Sequence, residues 1–246
     1  MDRELKDTFV TLWKKYFNNA ELPITFYYTD ETGGAVWTHA EKKRSCIIGE
    51  LVKVRNGESI VCNADLVTCA GAKRYLGFSN TIRNDFEYFL SCGNEDIEGE
   101  RYKRTPEIVL ETLKNHQQLP RSGKNIVFKR WDKLGDADTP EVVIFFATPD
   151  VLSGLFTLAN FDQVEPNGVF APFGAGCGTI VHYPYLEMKS ERPRAVIGMF
   201  DPSARPYVPS NVLTFAVPMV KFEKMIGYME ESFLITDTWK NVRKRI

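Results

Sequence analysis

The sequence predicts a mixed α and β fold, α+β or α/β, in which helices cover a mixed sheet. Three observations carry this. Of 246 residues, 43% are hydrophobic and 13% aromatic, enough for a sizeable core. Apolar stripes at helical spacing alternate with short runs of β-branched and aromatic residues. A strand-turn-helix pattern occurs twice in the C-terminal half.

In chain order, Leu5, Phe9, Leu12, Trp13 and Tyr16 recur at helical spacing and Asn18-Asn19 closes the run, so residues 3–17 are predicted as an amphipathic helix. Residues 24–29 are β-branched and aromatic and end at Asp30-Glu31-Thr32-Gly33-Gly34, a strand running into a turn. A helix is predicted over 45–54, with Cys46 in its first turn, up to Asn56-Gly57. Residues 59–61 form a short extended piece, and 69–76 a short helix with Thr68 as N-cap. Residues 92–104 are polar and charge-dense; Thr105-Pro106-Glu107 then opens a helix that runs to about 117. The stretch 119–124, with Pro120, Ser122 and Gly123, is the most linker-like. Residues 1–246 are expected to form one domain, with 119–125 the place where a subdomain boundary would fall.

The first repeated unit is the strand 142–147, the turn Thr148-Pro149-Asp150, and a helix carrying Val151, Leu155, Leu158 and Ala159. The second is the strand 212–217, Pro218, and a helix carrying Phe222, Met225, Ile226, Met229 and Phe233. Between them lie a helix over 177–188 and a strand over 195–199.

Composition excludes several partners. With 31 basic and 32 acidic side chains, the formal net charge of −1 leaves no excess to condense on nucleic acid or an anionic membrane. Tyr27, Tyr28, Phe86, Tyr88 and Phe89 lack the interleaved basic residues of a base-stacking platform. The segment Met1-Asp2-Arg3-Glu4-Leu5-Lys6 has no apolar secretory core, and no apolar run approaches the roughly 18–20 residues that span a bilayer. A cytoplasmic protein is expected. Five cysteines, an odd number in a chain of this size, are expected as reduced thiols.

The cysteines stand out by their neighbours. Cys46 begins Cys-Ile-Ile-Gly, Cys69 begins Cys-Ala-Gly-Ala, and Cys177 sits within Gly174-Ala175-Gly176-Cys177-Gly178. Glycine beside a thiol lets the main chain approach closely and lets amides face sulfur or a bound anion. Cys69 also stands at the start of a predicted helix, where unpaired amides favour an anion. Cys46, Cys62, Cys69 and Cys177 are therefore candidate ligands of one metal site, an iron–sulfur cluster foremost, because soft thiolates are its usual ligands. The gaps of fifteen and six residues from Cys46 to Cys62 to Cys69 match neither a ferredoxin run nor a zinc ribbon, so such a site would draw on distant loops. Cys92 is the alternative to Cys62 as fourth ligand. Gly71, Gly176 and Gly178 are predicted to line the ligand site, and Arg205, in Asp201-Pro-Ser-Ala-Arg205-Pro, to orient an anionic ligand or to pair with Asp201 in a turn.

The pattern of Cys46, Gly57, Cys69-Ala-Gly-Ala, Leu76-Gly77 and the distant Gly176-Cys177 resembles the prokaryotic family catalogued as domain of unknown function 169, or ArCR. The likeness runs over roughly residues 20–235 and includes Tyr183-Pro184-Tyr185 and Phe215-Ala-Val-Pro218. It brings no established activity. It implies a metal-cluster set of cysteines at Cys46, Cys69 and Cys177. The chain departs from the family at Ala70 and Ala72, around Gly71, where relatives often have Pro-Gly-Gly. It also lacks a cysteine in Gly198-Met199-Phe200-Asp201, which leaves the fourth ligand open.

The expected function is binding of a metal cluster or small ligand in redox or accessory work. One alternative is a metal-free small-molecule binding protein whose cysteines line the pocket. Another is a thiol-dependent transferase or hydrolase, which needs a base from His39, His116 or His182. On an α-helix His182 would stand about 140° from Cys177, too far round for a direct pair. The glycine-rich stretch 168–178 lacks the lysine and hydroxyl of a phosphate loop.

Overall fold

The computed structural model describes residues 1–32, 34–35 and 46–246; His39 lies outside them. The chain begins with α1 (Arg3–Phe17), capped by the Asp2 carboxylate on the Glu4 and Leu5 amides. There follow β1 (Ile24–Thr29), α2 (Ile47–Arg55), β2 (Ile60–Cys62), α3 (Ala70–Tyr75), α4 (Phe86–Leu90) and α5 (Pro106–Lys114). The second half runs β3 (Asn125–Arg130), β4 (Val142–Ala147), α6 (Pro149–Ala159) and β5 (Val169–Phe170), then a π-helical turn, Gly178–His182, leading into α7 (Tyr183–Glu187). It ends with β6 (Ala195–Gly198), β7 (Leu213–Pro218), α8 (Met219–Tyr228) and α9 (Asp237–Arg243).

Among the described residues seven strands form one mixed sheet in the order β2-β3-β1-β4-β7-β6-β5, antiparallel except for β5 beside β6. This is an α+β fold with helices on both faces. The two repeated units are β4–α6 and β7–α8. Their strands pair antiparallel from Val142 opposite Pro218 to Ala147 opposite Leu213, and their helices pack on the same face. Alternation along β4 divides the core: Val142, Ile144 and Phe146 face one side, Val143, Phe145 and Ala147 the other.

On the second side, α1, α6, α8 and α9 cover an aromatic core. Trp13 stacks on Phe17 at 4.2 Å, and Phe9 meets Trp131 and Phe222 edge-on at 4.9 and 5.0 Å. Each such ring contributes about 1.5–3 kcal/mol by leaving water. On the first side, α2, α3, the π-turn and α7 cover Ile24, Phe26, Ile126, Phe128 and Ile144. All the cysteines packed into the core lie there: Cys62 and Cys177 within it, Cys46 and Cys69 at its margin.

Several expectations need correction. The N-cap of α3 is Cys69, not Thr68, and Cys46 is the N-cap of α2 rather than a first-turn residue. The helix from 106 ends at Lys114, where the Asn115 amide closes it on the Glu111 and Leu113 carbonyls. Residues 177–188 are not one α-helix, because the π-turn inserts before α7. β3, β5 and α4 carry no sequence expectation: β3 is a six-residue run ending in Lys129-Arg130, and β5 is two residues long. Residues 119–124 are tied to the sheet by Ser122 Oγ, 3.2 Å from Glu141, and by Gly123 lying against the Thr29 backbone. No helix among the described residues is long and apolar enough to cross a membrane.

Candidate functional site

Three of the cysteines stand where helical segments begin, on the same face of the sheet. Cys46 caps α2: its carbonyl accepts the Gly49 amide at 3.0 Å, and its sulfur faces the Ile48 and Gly49 amides without a full capping bond. Cys69 caps α3, its carbonyl accepting the Lys73 amide at 2.9 Å, and its sulfur folds back to 3.8 Å from where a Gly71 side chain would start. Cys177 immediately precedes the π-turn and is buried. Thr179 holds that turn by donating from Oγ1 to the Gly176 carbonyl at 2.9 Å.

Cys69 lies close enough to act electrostatically on Cys46 and on Cys177, and Cys46 on Cys177. Burial pushes the Cys177 thiol well up, and Cys69, Cys46 and Asp201 add to it. Burial also raises the Cys46 thiol; the two amides oppose this, while Cys69 and Asp201 reinforce it. Deprotonation of Cys46 or of Cys177 is thus disfavoured by its neighbours unless a cation joins them.

Cys62 is not brought to this group. It is fully buried in β2 opposite Ile126, and its thiol is pushed up by burial and then by Glu50. Cys92 is exposed, its thiol donating to the Gly93 carbonyl at 3.4 Å. Neither reaches the other three.

The glycines divide. A Cβ on Gly178 would stand 2.9 Å from the Tyr75 ring, and one on Gly176 would stand 2.7 Å from Ala204 Cβ and 3.2 Å from Met199 Sδ. Protein atoms fill the space beside these two, which packs Cys177 tightly between α2, α3 and the loop after β6. Gly71 faces open space apart from the Cys69 sulfur. Arg205 sends its guanidinium to the carbonyls of Val212 (2.5 Å), Ser210 (2.8 Å) and Pro209 (3.2 Å). It clamps its own loop, and with these donors engaged it is not poised as an anion hook. It makes no ion pair with Asp201; only its backbone amide bonds the Asp201 carbonyl, at 3.2 Å.

Sequence reasoning missed two features. Asp201 is buried, its Oδ2 accepting the Gly176 amide at 3.0 Å. His116 and His182 stack with ring centres 4.5 Å apart, and Tyr75 meets both edge-on at 5.6 and 5.8 Å. Burial, then His116 and Arg74, pull His182 down to about 4; burial and Arg74 lower His116. His182 Nδ1 is buried without a hydrogen-bond partner among the described residues. His182 therefore faces His116 and Tyr75, and the same Tyr75 ring lies against Gly178. No linear spacing signals this stack.

No three histidine, cysteine or acidic side chains among the described residues stand ready around a single metal ion. Two surface hollows, of about 330 and 450 Å³, are lined by residues such as Leu152 and Phe156, or Trp13 and Asn18, and border no cysteine.

Fold and site together define an α+β protein with three thiols gathered on one face of its sheet. The chain belongs to the domain of unknown function 169 family, described as uncharacterised ArCR, whose family profile matches residues 14–227. Comparison with curated proteins found no match, and neither did comparison with solved structures.

Proposed function

We propose that Cys46, Cys69 and Cys177 hold a metal cluster, an iron–sulfur cluster foremost, and that the protein acts through it in redox or accessory chemistry. The observation that carries this reading is the convergence of three soft donors from segments 23 and 108 residues apart in the chain, counted as 69 − 46 and 177 − 69. Deprotonated, they would concentrate negative charge beside the buried Asp201, a charge that a cationic iron centre offsets. When bound, such a cluster supplies one-electron transfer or a Lewis-acidic iron.

The chain's own residues would do the rest. The Ile48 and Gly49 amides face the Cys46 sulfur and favour its thiolate, while Ile48, Met199 and Ala204 close around Gly176 and keep water from Cys177. A histidine-activated thiol enzyme has less support, since His182 is turned to His116 and Tyr75.

The test is anaerobic purification, followed where needed by reconstitution with ferrous iron and sulfide. Expected are a brown protein with broad visible absorption, about four irons per chain, and loss of colour in Cys46→Ser, Cys69→Ser and Cys177→Ser but not in Cys92→Ser. A colourless wild type with unchanged melting temperature after reconstitution overturns the reading.

A further inference from the structure

One segment of the chain leaves the body and returns to the same point. Gly77, with φ of 74°, lies against Leu119: a Cβ there would stand 3.0 Å from Leu119 Cδ2 and 3.3 Å from its carbonyl oxygen. Residues 78–118 form the excursion between them, carrying α4, the charge-dense stretch 92–104 and α5. We infer that this excursion is a flap that acid opens, latched shut by the His116 ring lying on the His182 ring.

The segment is lightly attached. α4 buries no side chain and α5 only Val109, which belongs to neither core. The two helices pack chiefly on each other. Among the described residues, backbone hydrogen bonds tie the segment to the body only at its root, where the Phe78 and Ser79 amides donate to the Lys73 carbonyl at 2.7 and 3.2 Å. A unit with so little buried apolar surface opens by itself, at less cost than global unfolding. Ring contacts fasten its far parts. Tyr102 meets Phe173 edge-on at 6.2 Å, with the Lys103 ammonium 5.2 Å from the same ring. His116 stacks on His182 at 4.5 Å and meets Tyr75 edge-on at 5.6 Å.

The histidine contact is the one that protons can undo. His182 is 1% exposed, and its Nδ1 has no hydrogen-bond partner among the described residues. Each element packed on it supplies a neighbour: His116 from the end of the flap, Tyr75 and Arg74 from α3, and Tyr183, next along the chain, edge-on at 5.3 Å. Cys177 and Asp201 act on Tyr75, beyond the stack. Arg74 acts on both histidines, and no acidic side chain among the described residues acts on either. A proton on either ring therefore meets burial and the cationic Arg74, and a second proton meets the first; parting the rings relieves all three.

Burial, then His116 and Arg74, hold His182 at about 4 in the closed form, against about 6.5 in water, so the open form takes up the proton first. The latch is whole above pH ~6.5 and weakens as pH falls toward ~4, by up to roughly 300-fold in the closed-to-open ratio. Opening bares His182 at the end of the π-turn that follows Cys177, so that one margin of the thiol face is covered or uncovered according to pH. This holds with or without a metal at the thiols.

Hydrogen exchange read by mass spectrometry on the full chain, from about pH 7 to about pH 4, tests the flap, each rate being divided by that of an unstructured peptide at the same pH. Expected in wild type is a fall in protection across 86–118 of up to roughly 300-fold, while α6 and α8 keep theirs. His182→Phe keeps a ring in the stack that takes no proton, and should show a much smaller fall. His182→Leu, also without a titrating group, replaces it should the phenylalanine variant fail to fold. Protection across 86–118 that acid leaves unchanged, that falls together with that of α6 and α8, or that falls equally in wild type and the non-titrating variant overturns the latch.

Discussion

The two faces of the sheet are built from different chemistry. The face under α1, α6, α8 and α9 is filled with Phe9, Trp13, Phe17, Phe145, Phe215 and Phe222, whose rings meet stacked or edge-on within about 4–6 Å. The face under α2, α3 and α7 also holds rings, Phe26, Tyr28, Phe128 and Tyr185, but mixes them with aliphatic residues, thiols, glycines, two stacked histidines and a buried aspartate. The two buried side-chain atoms without a partner among the described residues, His182 Nδ1 and Thr214 Oγ1, belong to this second face. Thr214 is two residues from Ala216, which faces the same core, and its hydroxyl lies by Gly198. Buried polar groups are normally satisfied, so their clustering on one side marks where stability gives way to function. The aromatic face anchors; the thiol face carries chemistry.

The sharpest way to break that contrast is Trp13→Ala. It removes a ring packed on Phe17 and Phe145 and the bond from its indole N–H to the Ala20 carbonyl, and should cost about 3–5 kcal/mol in urea unfolding. A loss below about 1 kcal/mol would mean that the aromatic face is not the anchor.

Acid should act through the other face. His182 is held near 4 when folded against an unfolded value of about 6.5, so the unfolded chain takes up the proton first. Its contribution is fully present above pH ~6.5 and is lost as pH falls toward ~4, amounting to about 3 kcal/mol. His116, also lowered, adds in the same direction. Unfolding measured across this window should show the fall in wild type and a much flatter profile in His182→Phe. Equal slopes would remove the stack from the account.

Two glycine variants of the metal-free protein sharpen the comparison within the thiol face. Gly178→Ala drives a methyl onto the Tyr75 ring and should cost about 1–3 kcal/mol. Gly71→Ala meets nothing nearer than the Cys69 sulfur at 3.8 Å, and should leave stability unchanged or raise it by about 0.4–1 kcal/mol. A small effect is also expected from Cys177→Ala, about 1 kcal/mol in the same metal-free protein, although the variant should abolish cluster binding. A much larger loss without metal would make Cys177 a packing residue first.

Much of the fold was legible because it is local. Residues 3–17 form the predicted helix with those bounds, since its apolar stripe and the closing Asn18-Asn19 act within a few turns. The β4–α6 and β7–α8 units were readable from an apolar run followed by a proline-marked helix start. β3 was not, because it ends in Lys129-Arg130. Lys129 is buried with its ammonium donating to Asp138, nine residues on, at 2.8 and 2.9 Å. Glycine neighbours picked out Cys46, Cys69 and Cys177, but counted Cys62 with them because nothing local says which neighbours a buried strand thiol will have.

The sequence by itself determined the alternation of helices and strands, the near-neutral charge and which thiols sit in bare backbone, because each depends on residues close along the chain. Only the tertiary structure decided that Cys62 stays apart, that Arg205 clamps its own loop, that Asp201 bonds the Gly176 amide, and that His116 and His182 stack against Tyr75. Those relations join segments tens of residues apart through the pairing of seven strands and one π-turn. A one-residue shift in either would turn the side chains elsewhere.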